Sequence, residues 1–205
     1  MRISQRGQIT IPKRLRDRFG MNHNVEVEIV PTETGLLIRK RSAAEHPVDG
    51  VYGVLGRGGD TDRHIKRRPM ITAVDTSVLL DVFLPDERYG PRSAEWLRGA
   101  YDAGAIVICD IVYAELAPAF PDGNALDDAL RRINATRSPI DAATGHDAGR
   151  RWRRYTRSGG RRTRILTDFL IGAHAVAGAE AFLTRDRRFF RTWFPELEGR
   201  IPGGR

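Results

Sequence analysis

The rhythm of apolar and polar positions changes near residue 70 of this 205-residue chain. Ahead of that point it is mostly period two. NVEVEIV and GLLIRKR alternate, and the PTETG between them supplies a turn, so the pair predicts a β-hairpin. ISQRGQITI predicts a strand broken at Gly7. IPKRLRDRFG predicts a short helix, with Pro12 in its first turn and Gly20 just past its end. From Met70 onward, short continuous apolar runs alternate with helical periodicity. They predict strand 71–75, helices about 77–84 and 92–102, strand 105–109 and a helix about 111–119. Helices near 124–135, 141–157 and 165–178 follow, then strand 181–184 and a short C-terminal stretch. Strands alternating with helices imply an α/β fold with a central parallel sheet flanked by helices. No internal repeat is present.

Between these halves, residues 43–69 carry five Gly, two Pro and few large apolar side chains. Such a segment cannot bury enough surface to fold alone. It divides the chain into residues 1–42, a linking segment 43–69, and 70–205. Within the segment, VDGVYGVL is more apolar than an inert tether needs. Val51, Tyr52, Val54 and Leu55 form an adhesive patch, as expected of a tail that orders on a partner surface.

Charge sharpens the division. The formal net charge is +8. Residues 1–69 hold 14 Lys+Arg against 8 Asp+Glu, and residues 70–205 hold 20 against 18, so the excess lies at the front. Basic excess favours a polyanionic partner, usually nucleic acid. Only three of the 34 basic residues are Lys, and an Arg bias of this kind also follows from a GC-rich genome. No apolar run reaches the roughly 18 residues of a membrane span, and the N-terminus lacks the apolar region of a secretory signal. The lone Cys109 sits in the apolar run AIVIC and predicts a core residue. A cytoplasmic protein without a membrane partner is the expectation.

Four acids stand out after residue 70: Asp75 in AVDTSVLLD, Glu115 in IVYAEL, Asp168 in ILTDFLIGAHA and Asp186 in FLTRDRRFF. Asp75 directly follows the apolar run ITAV, and Asp186 follows AFLT with only Arg185 between. Open α/β sheets bind ligands beyond the carboxyl ends of their strands. The bland alternative for any one of these acids is a solvated surface charge. The ordered set of four motifs resembles a PIN domain of the VapC-like toxin type, a family of magnesium-dependent ribonucleases, over residues 70–205. The resemblance implies that Asp75, Glu115, Asp168 and Asp186 are catalytic and hold Mg²⁺ or Mn²⁺, with Ser77 supporting them by hydrogen bonding. A helix cap is the competing role for Ser77, and for Asp110 the expected role is an N-cap. Hard cations suit such oxygen donors, and four converging carboxylates without a cation would repel one another. The five histidines are scattered among different segments, so no zinc cluster is expected, and His174 is expected to be structural. Asp81 is expected to face away from Asp75.

The front of the chain, SQRGQITIPKRLRDRFGM with the two strands after it, resembles the swapped-hairpin DNA-binding domain of AbrB- and MazE-like regulators. That resemblance implies a homo-oligomer in which two chains interleave, a small β-rich operator-binding domain over residues 1–42, and DNA contacts from Arg6, Lys13, Arg14 and Arg16. About 40 residues bury too little surface to fold without such a partner. A solvated basic face is the alternative reading of those four residues.

RRWRRYTRSGGRRTR, residues 150–164, has eight Arg, no acid and two aromatics. Interleaved Arg and aromatic residues suit single-stranded RNA, so Arg150, Arg151, Arg153 and Arg154 are candidate RNA contacts. Alternatively, Trp152 and Tyr155 face the core and the arginines are solvated. Together these readings predict a toxin–antitoxin fusion: an endoribonuclease with an RNA substrate, restrained by its own tail, behind an operator-DNA-binding domain. In the tail, Tyr52 and Leu55 are the expected anchors, with Arg57 and Arg63 the arginines that reach the acidic centre. The rival is a DNA-binding transcriptional regulator whose PIN-like domain is catalytically silent and serves assembly.

Overall fold

A computed structural model describes residues 4, 7–21, 25–32, 35–41, 47–52, 70–84, 86–160 and 166–202. Arg6, Val54, Leu55, Arg57 and Arg63 lie outside the described residues, as do His23, His46 and His64.

The front of the chain forms helix α1 (Lys13–Phe19) and strands β1 (Val27–Thr32) and β2 (Gly35–Lys40). Pro12 precedes the first helical residue, where its missing N–H costs nothing. Gly20 ends α1 in the left-handed region (φ 60°), and the amide of Met21 reaches back to the Arg16 carbonyl. β1 and β2 pair antiparallel, from Val27 opposite Lys40 to Thr32 opposite Gly35. The strand expected at ISQRGQITI is not formed over residues 7–12. Gly7 (φ 74°) turns the backbone so that Ser4 and Gln8 bond each other, and among the described residues no strand lies alongside to pair the amides of an extended segment. The hairpin is poorly buried: Leu36 is 74% exposed, and Val27, Ile29 and Leu37 are exposed as well.

The rest is a parallel sheet between helices. Its strands are β3 (Met70–Val74), β4 (Gly104–Ile108), β5 (Ala135–Arg137) and β6 (Ala181–Leu183), in the spatial order β5-β4-β3-β6. Its helices are α2 (Thr76–Phe83), α3 (Gly90–Ala103), α4 (Asp110–Leu116), α5 (Gly123–Arg132), α6 (Ala142–Arg157), α7 (Leu166–Gly178) and α8 (Arg187–Trp193). β3 and β4 are buried almost throughout, which is why they read as continuous apolar runs. The three-residue β5 was not expected from the sequence, and its first residue, Ala135, is the last of the helix expected over 124–135. Asn134, at φ 50°, breaks that helix and lets the chain join the sheet edge. The core gathers Phe83, Leu97, Ile106, Leu116, Phe169, Phe182 and Phe194. Cys109 is buried within it. Among the described residues, no helix is long and apolar enough to cross a membrane.

Two parts of the front half pack on this domain. The end of α1 abuts the amino edge of the sheet. A Cβ on Gly20 would collide with the Gly104 carbonyl, Asn134 bonds the Gly20 carbonyl, and Arg18 pairs with Glu180 at 3.0 Å. Lys40 donates to the carbonyls of Tyr101 (2.6 Å) and Gly104 (2.7 Å). Separately, a 3-10 turn, Asp49–Val51, sinks Val48 and Val51 to 0% exposure in the core. Asp49 accepts from Arg98 of α3 at 2.6 Å. The Tyr52 hydroxyl lies against Gly90, where a Cβ would come within 2.8 Å of it.

Candidate active site

The strand order dictates where a site can form. The chain runs from β3 outward to β4 and β5, then returns to the other side of β3 as β6. The β3/β6 boundary is therefore the topological switch point, where loops from the two strand ends diverge and leave a crevice. Asp75 ends β3 there, and Thr184, Arg185 and Asp186 follow β6 there.

Asp75 is 8% exposed. Its Oδ2 accepts from Ser77 Oγ at 2.7 Å and from Thr184 Oγ1 at 2.8 Å. Its backbone amide donates to the Leu183 carbonyl of β6 at 2.9 Å, which ties the residue to the neighbouring strand end. Burial pushes the carboxyl above its usual range. The hydrogen bonds from Ser77 and Thr184 pull the other way, and the charge of Glu115 adds to the rise. Glu115, exposed near the end of α4, accepts from Thr76 Oγ1 at 2.6 Å. Adjacent hydroxyl residues, Thr76 and Ser77, thus orient the two carboxylates. Asp186 is joined to Asp75 through Thr184: the Asp186 amide donates to Thr184 Oγ1 at 3.1 Å. Its carboxylate caps α8, accepting from the Phe189 amide at 3.1 Å. Asp168 stands, half-buried, in the first turn of α7, a helix that packs on β3 and α4.

The structure thus brings Asp75, Glu115 and Ser77 together and links Asp186 to them through one hydroxyl. Among the described residues, no three His, Cys, Asp or Glu side chains close up as a cation cage by themselves. The donor set nevertheless suits a hard cation. It is all oxygen, and Asp75 is a buried carboxylate beside a second negative charge. Mg²⁺ is commonly held by one or two carboxylates plus waters and substrate phosphates, without a full protein cage. Thr76 and Thr184 were missed in the sequence. Thr184 could have been found only as a hydroxyl one residue past a buried strand.

The PIN domain profile matches residues 72–194, more than half of the chain. The chain belongs to the PIN-domain family. PIN domains are typically nucleases, and these generally use divalent metals such as Mg²⁺. Solved structures similar to this PIN-domain chain include two of VapBC proteins. The crystal structure of VapBC2 from Rickettsia felis, bound to a DNA fragment from their promoter, matches at 21% identity with a TM-score of 0.49, over 65% of this chain and 98% of that one. VapBC-1 from nontypeable Haemophilus influenzae matches at 16% identity with a TM-score of 0.43, over 65% of this chain and 97% of that one. No curated protein matches the chain.

Several expectations about other residues of the PIN domain need correction. Arg151, expected as an RNA contact, is not exposed. It is 6% exposed, and it donates to Asp147 (2.6 Å), Glu196 (2.7 Å) and the Trp193 carbonyl (2.8 Å), pinning α6 to the end of α8. Arg150 pairs with Asp147 at 3.2 Å, while Arg153 and Arg154 are exposed. Tyr155 packs on Phe169 and Trp193, whereas Trp152 remains 38% exposed. Asp110 does not cap α4. It is the first helical residue and pairs with Arg137 at 3.5 Å. His174 is buried, and burial pulls its imidazole below the ordinary value. Asp81, expected to face away from Asp75, is buried among polar partners and not solvated. It is 3% exposed, accepts from Ser93 Oγ at 2.7 Å and pairs with Arg185 at 3.1 Å. At the front, Arg14 is exposed, Lys13 pairs with Asp17 at 2.6 Å, and Lys13 and Arg16 line a cleft of about 890 Å³ that also includes Arg131, Arg132 and Arg137.

Proposed function

We propose that this chain is a toxin–antitoxin fusion whose PIN domain is a metal-dependent endoribonuclease restrained by residues 43–69. The observation that carries the catalytic part is Asp75: a buried carboxylate at the β3/β6 switch point, gripped by two hydroxyls and facing the charge of Glu115. Asp75 and Glu115 would hold Mg²⁺ or Mn²⁺, with Asp168 and Asp186 completing the acidic set. When bound, the ion lowers the pKa of water and neutralises charge on a phosphodiester. Ser77 and Thr184 keep the Asp75 carboxylate in one orientation, so the site is organised before RNA arrives. Thr76 does the same for Glu115.

The restraint is supported by the anchoring of residues 47–52. Val48 and Val51 are sunk in the core, and the chain leaves Tyr52 beside Gly90 at the start of α3. The segment that follows is covalently tethered, so its effective concentration at the PIN surface is on the order of mM. The front domain would bind operator DNA as a homo-oligomer, with a second chain covering the exposed apolar side chains of the hairpin.

One experiment decides the catalytic reading. Full-length chain and its Asp75→Asn variant are given RNA with Mn²⁺, Mg²⁺ or EDTA, and Tm is followed with and without metal. The parent should cleave only with metal and gain Tm on adding it, and the variant should do neither while remaining folded. Equal, metal-dependent cleavage by the two chains refutes the assignment of Asp75. A folded chain that neither cleaves nor responds to metal, even with the anchor released by Val48→Ala and Val51→Ala, favours the regulator with a silent PIN domain.

A further inference from the structure

With Arg151 committed to ion pairs, the arginines that cluster beside the site belong to α3, α8 and the segments that lead into them. Two aromatic rings organise them. The Arg92 and Arg187 guanidinium carbons lie 5.0 and 4.9 Å from the centroid of the Trp96 ring. Those of Arg88 and Arg185 lie 5.1 and 4.8 Å from the centroid of the Tyr89 ring. Arg191 follows Arg187 by one turn of α8. Arg88, Arg92, Arg185 and Arg191 are exposed, and Tyr89 is 38% exposed. Arg92 and Arg187 thus share one ring, which holds their positive charges side by side.

This face continues into the proposed catalytic centre. Arg185 and Arg187 flank Asp186 in the chain. The Arg185 amide points at Ser77 Oγ, 3.4 Å away, and Ser77 is the residue that grips Asp75. The loop that carries Tyr89 is itself fixed: Asp86 accepts from the amides of Arg88 (2.9 Å) and Tyr89 (2.7 Å). Arg185 is also steered from behind by Asp81.

We infer that this arginine–aromatic face, built by Arg88, Tyr89, Arg92, Trp96, Arg187 and Arg191, is the track on which single-stranded RNA approaches Asp75 and Asp186. The inference deepens the nuclease reading and rests on it for the direction of the strand. Like charges held together are relieved by a polyanion, through phosphate contacts and counterion release. Aromatic rings and guanidinium planes offer stacking surfaces to unpaired bases, which a duplex keeps stacked inside. Helix α6, with its central arginine buried, offers less.

The test uses the full-length chain, a labelled unstructured RNA 12-mer, and EDTA to prevent cleavage, with binding read by anisotropy across a salt series. Replacing Arg92 and Arg191 together by Gln should weaken binding about 25-fold at 0.1 M salt, and the slope of log K against log salt should shrink by about 1.4, two phosphate contacts at roughly 0.7 each. Arg153→Gln with Arg154→Gln should change affinity less than about two-fold, against that same scale. Unchanged affinity and slope in the Arg92/Arg191 variant, absence of RNA binding by both the parent and its Val48→Ala/Val51→Ala variant, or equal competition by duplex DNA of the same length would each overturn the inference. Cleavage with Mn²⁺ is measured separately. A parent that binds RNA through this face but never cleaves it leaves the track standing and removes the nuclease. A parent that cleaves as fast as its Arg92/Arg191 variant does the reverse.

Discussion

The anchor of the linking segment offers the sharpest quantitative test. Val48 and Val51 are both 0% exposed. Each Val→Ala change removes two methylene equivalents from a fully buried site, about 1.6 kcal/mol at ~0.8 kcal/mol per group. The double variant should therefore lose about 3.2 kcal/mol, and any cavity left behind adds to that. The Asp49–Arg98 pair, with side chains 9% and 15% exposed, remains and limits the loss. Two outcomes are distinguishable. If residues 47–52 detach while the PIN domain stays folded, the detached population rises about 200-fold, since ~1.4 kcal/mol is a factor of ten. Metal-dependent RNA cleavage by the full-length chain should then increase, and trypsin should cut the Arg-rich stretch after Tyr52 sooner. If the 3-10 turn belongs to the cooperative unit, Tm should instead fall by about 6–13 °C, at roughly 2–4 °C per kcal/mol for a chain of this size. Calorimetry, timed trypsin digestion and a cleavage assay read the alternatives. A double variant with the parent's Tm, digestion rate and cleavage rate would show that the two valines anchor nothing, and the restraint would have to be sought elsewhere.

Three further predictions follow from contacts described above. Arg151→Met should destabilise the chain by about 2 kcal/mol, because charge-assisted hydrogen bonds to the partly exposed Asp147 and Glu196 are lost, yet leave RNA affinity within about two-fold; a large loss of affinity in a stable variant would return α6 to the RNA surface. Lys40 has its pKa lowered to about 8 by burial, with Asp102 opposing. Because the folded value lies below the ordinary 10.5, the unfolded state holds more protons between those values, so this group's contribution to stability rises with pH above about 8 and is flat below it. The Tm of the parent minus that of Lys40→Met should accordingly increase from pH 8 to 10; a flat difference contradicts the buried docking of Lys40 on Tyr101 and Gly104. Arg14→Ala with Arg16→Ala should weaken binding to the chain's own promoter DNA and reduce the salt slope by about 1.8, at ~0.9 per contact; unchanged binding removes these residues from the DNA surface.

Much of the architecture was written in local patterns. Buried parallel strands must be apolar on both faces, so β3, β4 and β6 were visible as runs, and helices α2 to α7 as stripes between breakers. The same locality placed Asp75 and Asp186 at strand ends, and Ser77 two residues from the carboxylate it grips. The β1/β2 hairpin was legible because alternation fixes its register. What failed was whatever depends on a distant partner. Arg151 looks like its neighbours in sequence. Only the approach of Asp147, Glu196 and the Trp193 carbonyl makes it a buried strut. Asp81 reads as one polar position on an apolar helix until Ser93 and Arg185 meet it. Thr184 acquires its role because β6 returns beside β3, which sets its hydroxyl against Asp75. The arginine–aromatic face joins residues 88–96 to 185–191, nearly a hundred positions apart, and no window along the chain contains both. Periodicity records which side of an element is apolar, since that is a property of the element itself. The partner a polar side chain finds, and so whether it is a strut, a ligand or a solvated charge, is set by packing between elements, and only the tertiary structure decides it.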